Sequence, residues 1–297
     1  MAAFLAAFCL GSLPGQPVTG NSPAGSGASK QGDSSWGGPP WISPGRRGEN
    51  GWQAHTVRSE FQEGETEIQV LTPSGRGPKR RYAALYILPV EAGNGTRWGN
   101  ALPEVRRWDL AERFQLICVY PTFSALPWYA DHPSRSTLRQ ESYFLQVVVP
   151  FIEKNYPVRK EAAGRLLVGF SKSGWGAFSL LLRHPGRFGR AAAWDAPLAM
   201  EYPDRYGMED IFGDQRNFEA YCISRLLQSK PVEFSAGERL IHMGFGNFRD
   251  QHTKIENLMQ NLHISHLFRD GPRREHSWNS GWLPEAVELL CQNPGGP

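Results

Sequence analysis

The segment that most constrains the fold is residues 166–177, which read Leu-Leu-Val-Gly-Phe-Ser-Lys-Ser-Gly-Trp-Gly-Ala. Residues 166–168 predict a buried strand, residues 169–174 predict a tight turn, and residues 176–183 predict a helix that ends before Pro185. A strand, a tight turn and a helix in this order are typical of a nucleophile elbow, with Ser171 at its tip. The amides at the start of such a helix favour negative charge, which a tetrahedral acyl intermediate develops.

The elbow departs at one position from the usual pattern G-x-S-x-G. Ser173 stands where the second glycine is expected, while Gly174 and Gly176 keep the turn uncrowded. Two interpretations of Ser171 stay open on this segment alone: a nucleophile, or an ordinary serine that caps a helix.

Composition narrows the class of protein. The chain has 297 residues, of which 40% are hydrophobic, and this is enough for one large α/β domain with a deep core. The net charge of +3 is too small to indicate a nucleic-acid partner. The four cysteines lie far apart and fit no metal-binding spacing, so no metal is predicted.

The chain divides into two parts by composition. Residues 1–48 read as a leader followed by a disordered linker rich in Gly, Pro and Ser, and residues 49–297 read as the folded domain. The apolar run at residues 2–10 is too short to span a membrane, so no integral membrane segment is expected. If this run is the remnant of a signal peptide, the protein is exported; if it is an ordinary terminus, the protein is cytoplasmic.

Strand and helix patterns alternate through the domain. This alternation predicts a doubly wound, mostly parallel sheet with helices on both faces. Functional side chains in such a sheet gather at the carboxyl ends of the strands. Ser171, Asp250 and His276 fall there in the order Ser, Asp, His, which suits a nucleophile, an orienting acid and a general base. Asp195 also follows a strand, and it is either an alternative acid or part of the acyl pocket.

The chain resembles a known family. The segment Gly-Phe-Ser-Lys-Ser-Gly-Trp-Gly-Ala at 169–177, followed by Arg-His-Pro at 183–185 and by Phe188, resembles serine esterases of the esterase D and mycolyltransferase type. Further matching segments are residues 85–88, 128–131, 149–153, 208–213 and 276–278, with Trp282. The resemblance implies an α/β-hydrolase fold and ester hydrolysis or acyl transfer without a cofactor. It implies that Ser171 is the nucleophile and His276 the base, and it matches Asp250 to the acid only approximately.

One departure from the family concerns the oxyanion hole. The family has His-Gly after the strand that ends at Leu88, whereas this chain has Pro89 and Val90. The predicted oxyanion donors are the backbone N–H groups of Lys172 and Glu91. Because Pro89 has no N–H, the loop could be reshaped, and a non-catalytic binding protein of hydrolase fold is the alternative from another class.

Aromatic residues near the proposed site bear on the substrate. Trp128, Trp175 and Trp194 are predicted to line the substrate pocket together with Asp195. Flat apolar rings suit sugar rings and aryl groups, so the expected partner is a small-molecule or carbohydrate ester. Acyl transfer to a sugar hydroxyl would differ from hydrolysis only in the group that attacks the acyl-enzyme.

Overall fold

The computed structural model describes residues 36–75, 80–230 and 232–292. The predicted leader and the part of the linker at residues 1–35 lie outside the described residues. The strands are β1 Trp41–Ile42, β2 Arg46–Arg47, β3 Gln53–Arg58, β4 Glu65–Leu71, β5 Ala83–Ile87, β6 Leu116–Pro121, β7 Arg165–Phe170, β8 Arg190–Trp194, β9 Leu240–Phe245 and β10 His266–Arg273.

The α-helices connect these strands. They are α1 Ala101–Arg107, α2 Leu110–Arg113, α3 Gln140–Tyr143, α4 Val149–Asn155, α5 Ser171–Arg183, α6 Glu209–Phe212, α7 Gln215–Glu219, α8 Ile223–Ser229, α9 Arg249–Asn261 and α10 Leu283–Cys291. A π-helical turn at Phe144–Val148 joins α3 to α4. No helix in the described ranges has the length and apolar composition needed to cross a membrane.

The sheet is mixed but mostly parallel. Its strand order is β1-β3-β4-β6-β5-β7-β8-β9-β10, and β2 also pairs with β3. The strands from β6 to β10 in this order run parallel, whereas β1, β3 and β4 pair in antiparallel fashion. The predicted doubly wound, mostly parallel sheet is therefore confirmed.

Residues 41–47 belong to the sheet and not to a linker. Trp41 pairs with Arg58, and Arg46 pairs with Ala54. The predicted domain boundary after residue 48 is therefore too late. The polar, glycine-rich composition around these short strands concealed them, because a strand of two residues has no alternation to read.

Two apolar cores cover the two faces of the sheet. In β5, Ala84 and Tyr86 lie in one core, whereas Leu85 and Ile87 lie in the other. This explains why the strand is apolar throughout, since a central strand buries both faces. Helix α5 packs in the first core and helix α10 in the second.

The carboxyl ends of β7, β8 and β9 lie side by side. Phe170, the last residue of β7, pairs with Trp194, the last of β8, and Trp194 in turn pairs with Met243 of β9. Residues that follow these strands are therefore brought to one edge of the sheet. The next residues after β7 and β8 are Ser171 and Asp195.

A buried ion-pair network ties α3 to the end of α5. The Glu141 carboxylate accepts hydrogen bonds from Arg183 at 2.8 and 3.0 Å, and its Oε1 lies 2.6 Å from His184 Nε2. The Tyr221 hydroxyl donates to the same carboxylate at 3.1 Å. Burial raises the pKa of the Glu141 carboxyl, but the hydrogen bonds from His184 and Arg183 outweigh this effect and lower the pKa to about 2.

This network predicts a pH-dependent contribution to stability. Because the pKa of Glu141 is lower in the folded state, its contribution is complete above the unfolded-state pKa of about 4.3 and is lost as pH falls toward 2. We expect Glu141→Gln to lower the free energy of unfolding near neutral pH by about 3 kcal/mol. The difference from wild type should shrink as pH falls from about 5 to about 2 in urea denaturation.

The matched control is Glu60→Gln, because Glu60 is exposed. It should leave the free energy of unfolding within about 0.5 kcal/mol of wild type. A Glu141→Gln difference that stays constant between about pH 6 and about pH 3 would contradict this account.

Candidate active site

The turn after β7 has the geometry of a nucleophile elbow. Ser171 has a φ of 52°, in the left-handed region that residues with a side chain rarely adopt. A Cβ on Gly169 would lie 2.5 Å from the carbonyl carbon of Ser173, so only glycine fits there. The Ser173 hydroxyl donates to the Phe170 carbonyl at 2.9 Å and accepts from the Phe170 N–H at 3.1 Å. Ser173, in place of the usual glycine, therefore stabilises the turn through these two hydrogen bonds.

Asp195 is held as a buried carboxylate after β8. Its side chain is fully buried, and it accepts the N–H of Asn247 at 2.8 Å and the N–H of Phe248 at 2.7 Å. Burial raises the pKa of Asp195, but hydrogen bonds from His276 and from the backbone at residues 246–248 outweigh it, and the pKa is lowered overall. Asp195 also has a left-handed φ of 40°.

His276 is paired with this carboxylate. Its Nδ1 lies 2.5 Å from Asp195 Oδ2. An ionised carboxylate can only accept, so the proton lies on Nδ1, and Nε2 of the neutral ring keeps a free lone pair. The ring centroid lies 5.1 to 5.6 Å from the rings of Trp98, Phe170 and Phe248, which fix its plane.

The structure pairs His276 with Asp195 and not with Asp250, and this corrects the pairing predicted from the sequence. Helix α9 begins at Arg249, earlier than the predicted residue 253, so Asp250 lies exposed in the first helical turn. The loop at residues 246–248 donates N–H groups to the Asp195 carboxylate and contributes no carboxylate to His276. The chain order Ser, Asp, His is kept with Asp195 in the middle.

Ser171 and His276 share a pocket of about 270 Å³. Aromatic side chains form much of its wall, and Lys172 lies beside the serine. The residues that line it are Trp98, Ser171, Lys172, Pro197, Tyr206, Asn247, Phe248 and His276.

The predicted tryptophans are not in this wall. Trp128 and Trp175 are fully buried and pack edge to face at 5.5 Å within the core. Trp194 is buried behind the site, where it stacks on Trp282 at 5.5 Å and on the His276 ring at 6.3 Å. Their roles as pocket residues are therefore corrected to core packing and to support of the histidine.

The aromatic wall comes from residues that sequence reasoning did not select. Trp98 follows β5, Tyr206 lies in the excursion after β8, and Phe248 follows β9. The sequence did contain an indication of each, since all three residues lie in connections that follow the carboxyl end of a strand. Phe248 lies two residues before Asp250, in the same loop.

The loop after β5 is anchored in spite of Pro89. The Tyr129 hydroxyl donates to the Pro89 carbonyl at 2.6 Å. In the parts of the chain that the structure describes, the N–H groups of Glu91 and Lys172 donate to no protein acceptor. Both predicted oxyanion donors are therefore free to bind another group.

One cluster behind the site has the side chains of a metal site. His242, Glu256 and His266 bring donor atoms within 4.8 Å of one another. His252 Nε2 accepts the N–H of Ala196 at 2.8 Å, so the neutral His252 carries its proton on Nδ1, which lies 3.3 Å from His242 Nδ1.

These hydrogen bonds determine which ring nitrogen of His242 carries the proton. Its Nδ1 must accept from His252, so its Nε2 carries a proton and donates to Glu256 at 3.0 Å. Burial lowers the pKa of His252 to about 3, in keeping with a neutral ring. The cluster therefore suits a hydrogen-bond chain that supports the peptide after Asp195 better than it suits a cation.

The chain is similar in sequence to known esterases. Residues 59–201 match the model of a protein family described as "Putative esterase". The resemblance predicted from the sequence is confirmed. Esterase Rv1288 of Mycobacterium tuberculosis (strain ATCC 25618 / H37Rv) is 28% identical over 137 residues, which cover 45% of this chain and 29% of that protein. The match thus spans a minor share of the curated relative's length.

Solved structures show the same fold. A ferulic acid esterase superposes with a TM-score of 0.61 at 19% identity, covering 85% of this chain and 97% of that one. An S-formylglutathione hydrolase from Agrobacterium tumefaciens superposes with a TM-score of 0.65 at 16% identity, covering 86% and 99%. The chain therefore has the predicted α/β-hydrolase fold.

The contact between Gly246 and Asp195 gives a prediction about the site's geometry. A Cβ on Gly246 would lie 2.7 Å from Asp195 Oδ2 and 2.8 Å from the Arg274 carbonyl oxygen. We expect Gly246→Ala to push the carboxylate away from His276 and to lower the free energy of unfolding by about 1 to 3 kcal/mol. The measurement is the proton NMR resonance of His276 Nδ1–H, which should shift or vanish.

Gly186→Ala is the matched control, because a Cβ there meets nothing within 4 Å. It should leave the resonance in place. An unchanged Nδ1–H resonance in Gly246→Ala would show that the carboxylate does not depend on this close approach.

Proposed function

We propose that the protein hydrolyses carboxylic esters through an acyl-enzyme on Ser171. The observation that carries the proposal is the buried hydrogen bond between Asp195 and His276 Nδ1, in a pocket that His276 shares with the strained Ser171. A serine hydroxyl is a poor nucleophile alone, and a neutral imidazole oriented by a carboxylate is the group that activates it.

The proposed reaction has two steps. In the first, His276 Nε2 takes the Ser171 proton as Oγ attacks the ester carbonyl, and it then gives that proton to the departing alcohol. In the second, His276 takes a proton from water, the hydroxide attacks the acyl-enzyme, and the proton returns to Ser171 as the carboxylic acid leaves. Asp195 stabilises the imidazolium that forms in each step.

The N–H groups of Lys172 and Glu91 are the proposed donors to the oxyanion. Lys172 stands at the start of α5, where the helix dipole also favours negative charge. The Glu91 donor requires the loop after Pro89 to keep its position, and the bond from Tyr129 to the Pro89 carbonyl supports that position. These free donors favour a catalyst over a non-catalytic binding protein.

The rings of Trp98, Tyr206 and Phe248 support aryl or carbohydrate esters as substrates. Flat apolar faces pack against sugar rings and aryl groups, and Tyr206 is 48% exposed at the pocket, where it can reach such a group.

Labelling with a fluorophosphonate, which reacts with activated serines, tests the nucleophile. We expect wild type to be labelled and Ser171→Ala to lose both labelling and ester turnover, because no other hydroxyl stands at the elbow tip. Ser173→Ala is the matched control, since it removes a hydroxyl two residues away. It should keep the label while its free energy of unfolding falls by about 1 to 3 kcal/mol through loss of the bonds to Phe170.

Paired amide substitutions test the acid. Asp195→Asn should lower kcat by about ten-thousand-fold, because an amide at this place selects the wrong imidazole tautomer. Asp250→Asn should leave kcat within about three-fold of wild type, since the side chain is an exposed helix residue. The reverse ranking in steady-state kinetics would return the acid's role to Asp250.

A further inference from the structure

Lys172 places a positive charge in the same pocket as Ser171. It is the second residue of α5, between the buried Ser171 and Ser173, and its own side chain is only partly exposed.

The Lys172 ammonium has no partner of its own within the described residues. No hydrogen bond or salt bridge joins it to another side chain there. Burial lowers the pKa of Lys172, while the charge of Glu91 raises it and the charge of Arg97 lowers it. The amine has therefore lost part of its water shell, and no protein anion has fully replaced that water.

The Lys172 ammonium interacts with two charged side chains, Glu91 and Arg97. Glu91 and Arg97 both belong to the loop after β5, which also carries Trp98 of the pocket wall. The Glu91 carboxylate already accepts the Trp98 N–H at 3.3 Å, and the Arg97 guanidinium lies 5.0 Å from the centre of the Trp98 ring. The charges of Lys172 and Arg97 together exceed that of the Glu91 carboxylate, so the surroundings of the Lys172 ammonium carry a net positive charge.

We propose that the substrate is an ester that carries a carboxylate close to the scissile bond, and that Lys172 binds this carboxylate. This inference rests on the proposed ester hydrolysis at Ser171. A carboxylate is what the desolvated ammonium lacks, and its binding would restore the interaction that burial removed. Lys172 thus has two proposed roles in the site: its backbone N–H donates to the oxyanion, and its side chain binds the carboxylate of the substrate.

Two pairs of esters test the proposal and locate the charge. The acyl-side pair is para-nitrophenyl hydrogen adipate against the uncharged para-nitrophenyl heptanoate. The alcohol-side pair is para-acetoxybenzoate against the uncharged para-acetoxybenzamide. In at least one pair, we expect wild type to prefer the anionic ester in kcat/KM, and the preference should weaken with added salt because the site is partly open to solvent.

The decisive variant is Lys172→Met, which removes the charge, retains a flexible chain and leaves the backbone N–H in place. It should lower kcat/KM for the preferred anionic ester by about 10- to 100-fold, the size of one hydrogen bond between charged groups. The ratio of kcat/KM for the anionic ester to kcat/KM for its uncharged partner should fall by about the same factor, which separates lost carboxylate binding from any loss that both esters share. Lys154→Met is the matched control, since it changes the net charge equally at an exposed position of α4 and should alter neither ester.

Three results would overturn the proposal: no anionic preference in either pair, equal losses on charged and uncharged esters in Lys172→Met, or the same loss in Lys154→Met. The failure of this inference is distinct from failure of the proposed function. If wild type cleaves the uncharged esters and is labelled by fluorophosphonate but shows no charge preference, only the role of Lys172 is wrong. If it neither cleaves any ester nor reacts with the probe, the hydrolysis itself is wrong.

Discussion

The site depends on one buried charge, the Asp195 carboxylate. A carboxylate with no exposed surface is costly unless it is hydrogen-bonded on every side, and here His276 and the backbone N–H groups of Asn247 and Phe248 meet that need. The bond to His276 also orients the imidazole, so the interaction that stabilises the charge fixes the position of this ring. Gly246 is required at the loop because any side chain there would collide with the carboxylate.

Backbone strain gathers at the same edge of the sheet. Ser171, Asp195 and Tyr129 all have left-handed φ values, between 40° and 58°, although none is glycine. Each costs on the order of 1 to 3 kcal/mol, and such strain persists where the surrounding structure fixes it and the site uses it. Here the pairing of β7 with β8 supports Ser171 and Asp195, which directly follow these strands, and aromatic packing against Phe123 supports Tyr129.

The pocket is built from two kinds of segment. Its floor is the elbow and the His276 loop, both fixed by hydrogen bonds to the sheet edge or to the Trp98 loop. Its wall comes from long connections that carry Trp98, Tyr206 and Phe248. Under the proposed function, the reaction takes place on the floor and the wall selects the substrate. In this arrangement one fold can serve different esters when its loops differ. Under the proposed function, Lys172 belongs to both parts, through its backbone and its side chain.

The sequence by itself determined the alternation of strands and helices after residue 48, the elbow, and Ser171 and His276 as candidates. These follow from local periodicity, from turn chemistry and from chain order. Only the tertiary structure decided which carboxylate pairs with His276. Asp195 and Asp250 both follow a strand, and the choice depends on where α9 begins and on which loop turns its N–H groups inward. Pocket lining was beyond the sequence for the same reason: whether an aromatic ring faces a cavity or a core, as with Trp98 and Trp128, is set by contacts between segments far apart in the chain.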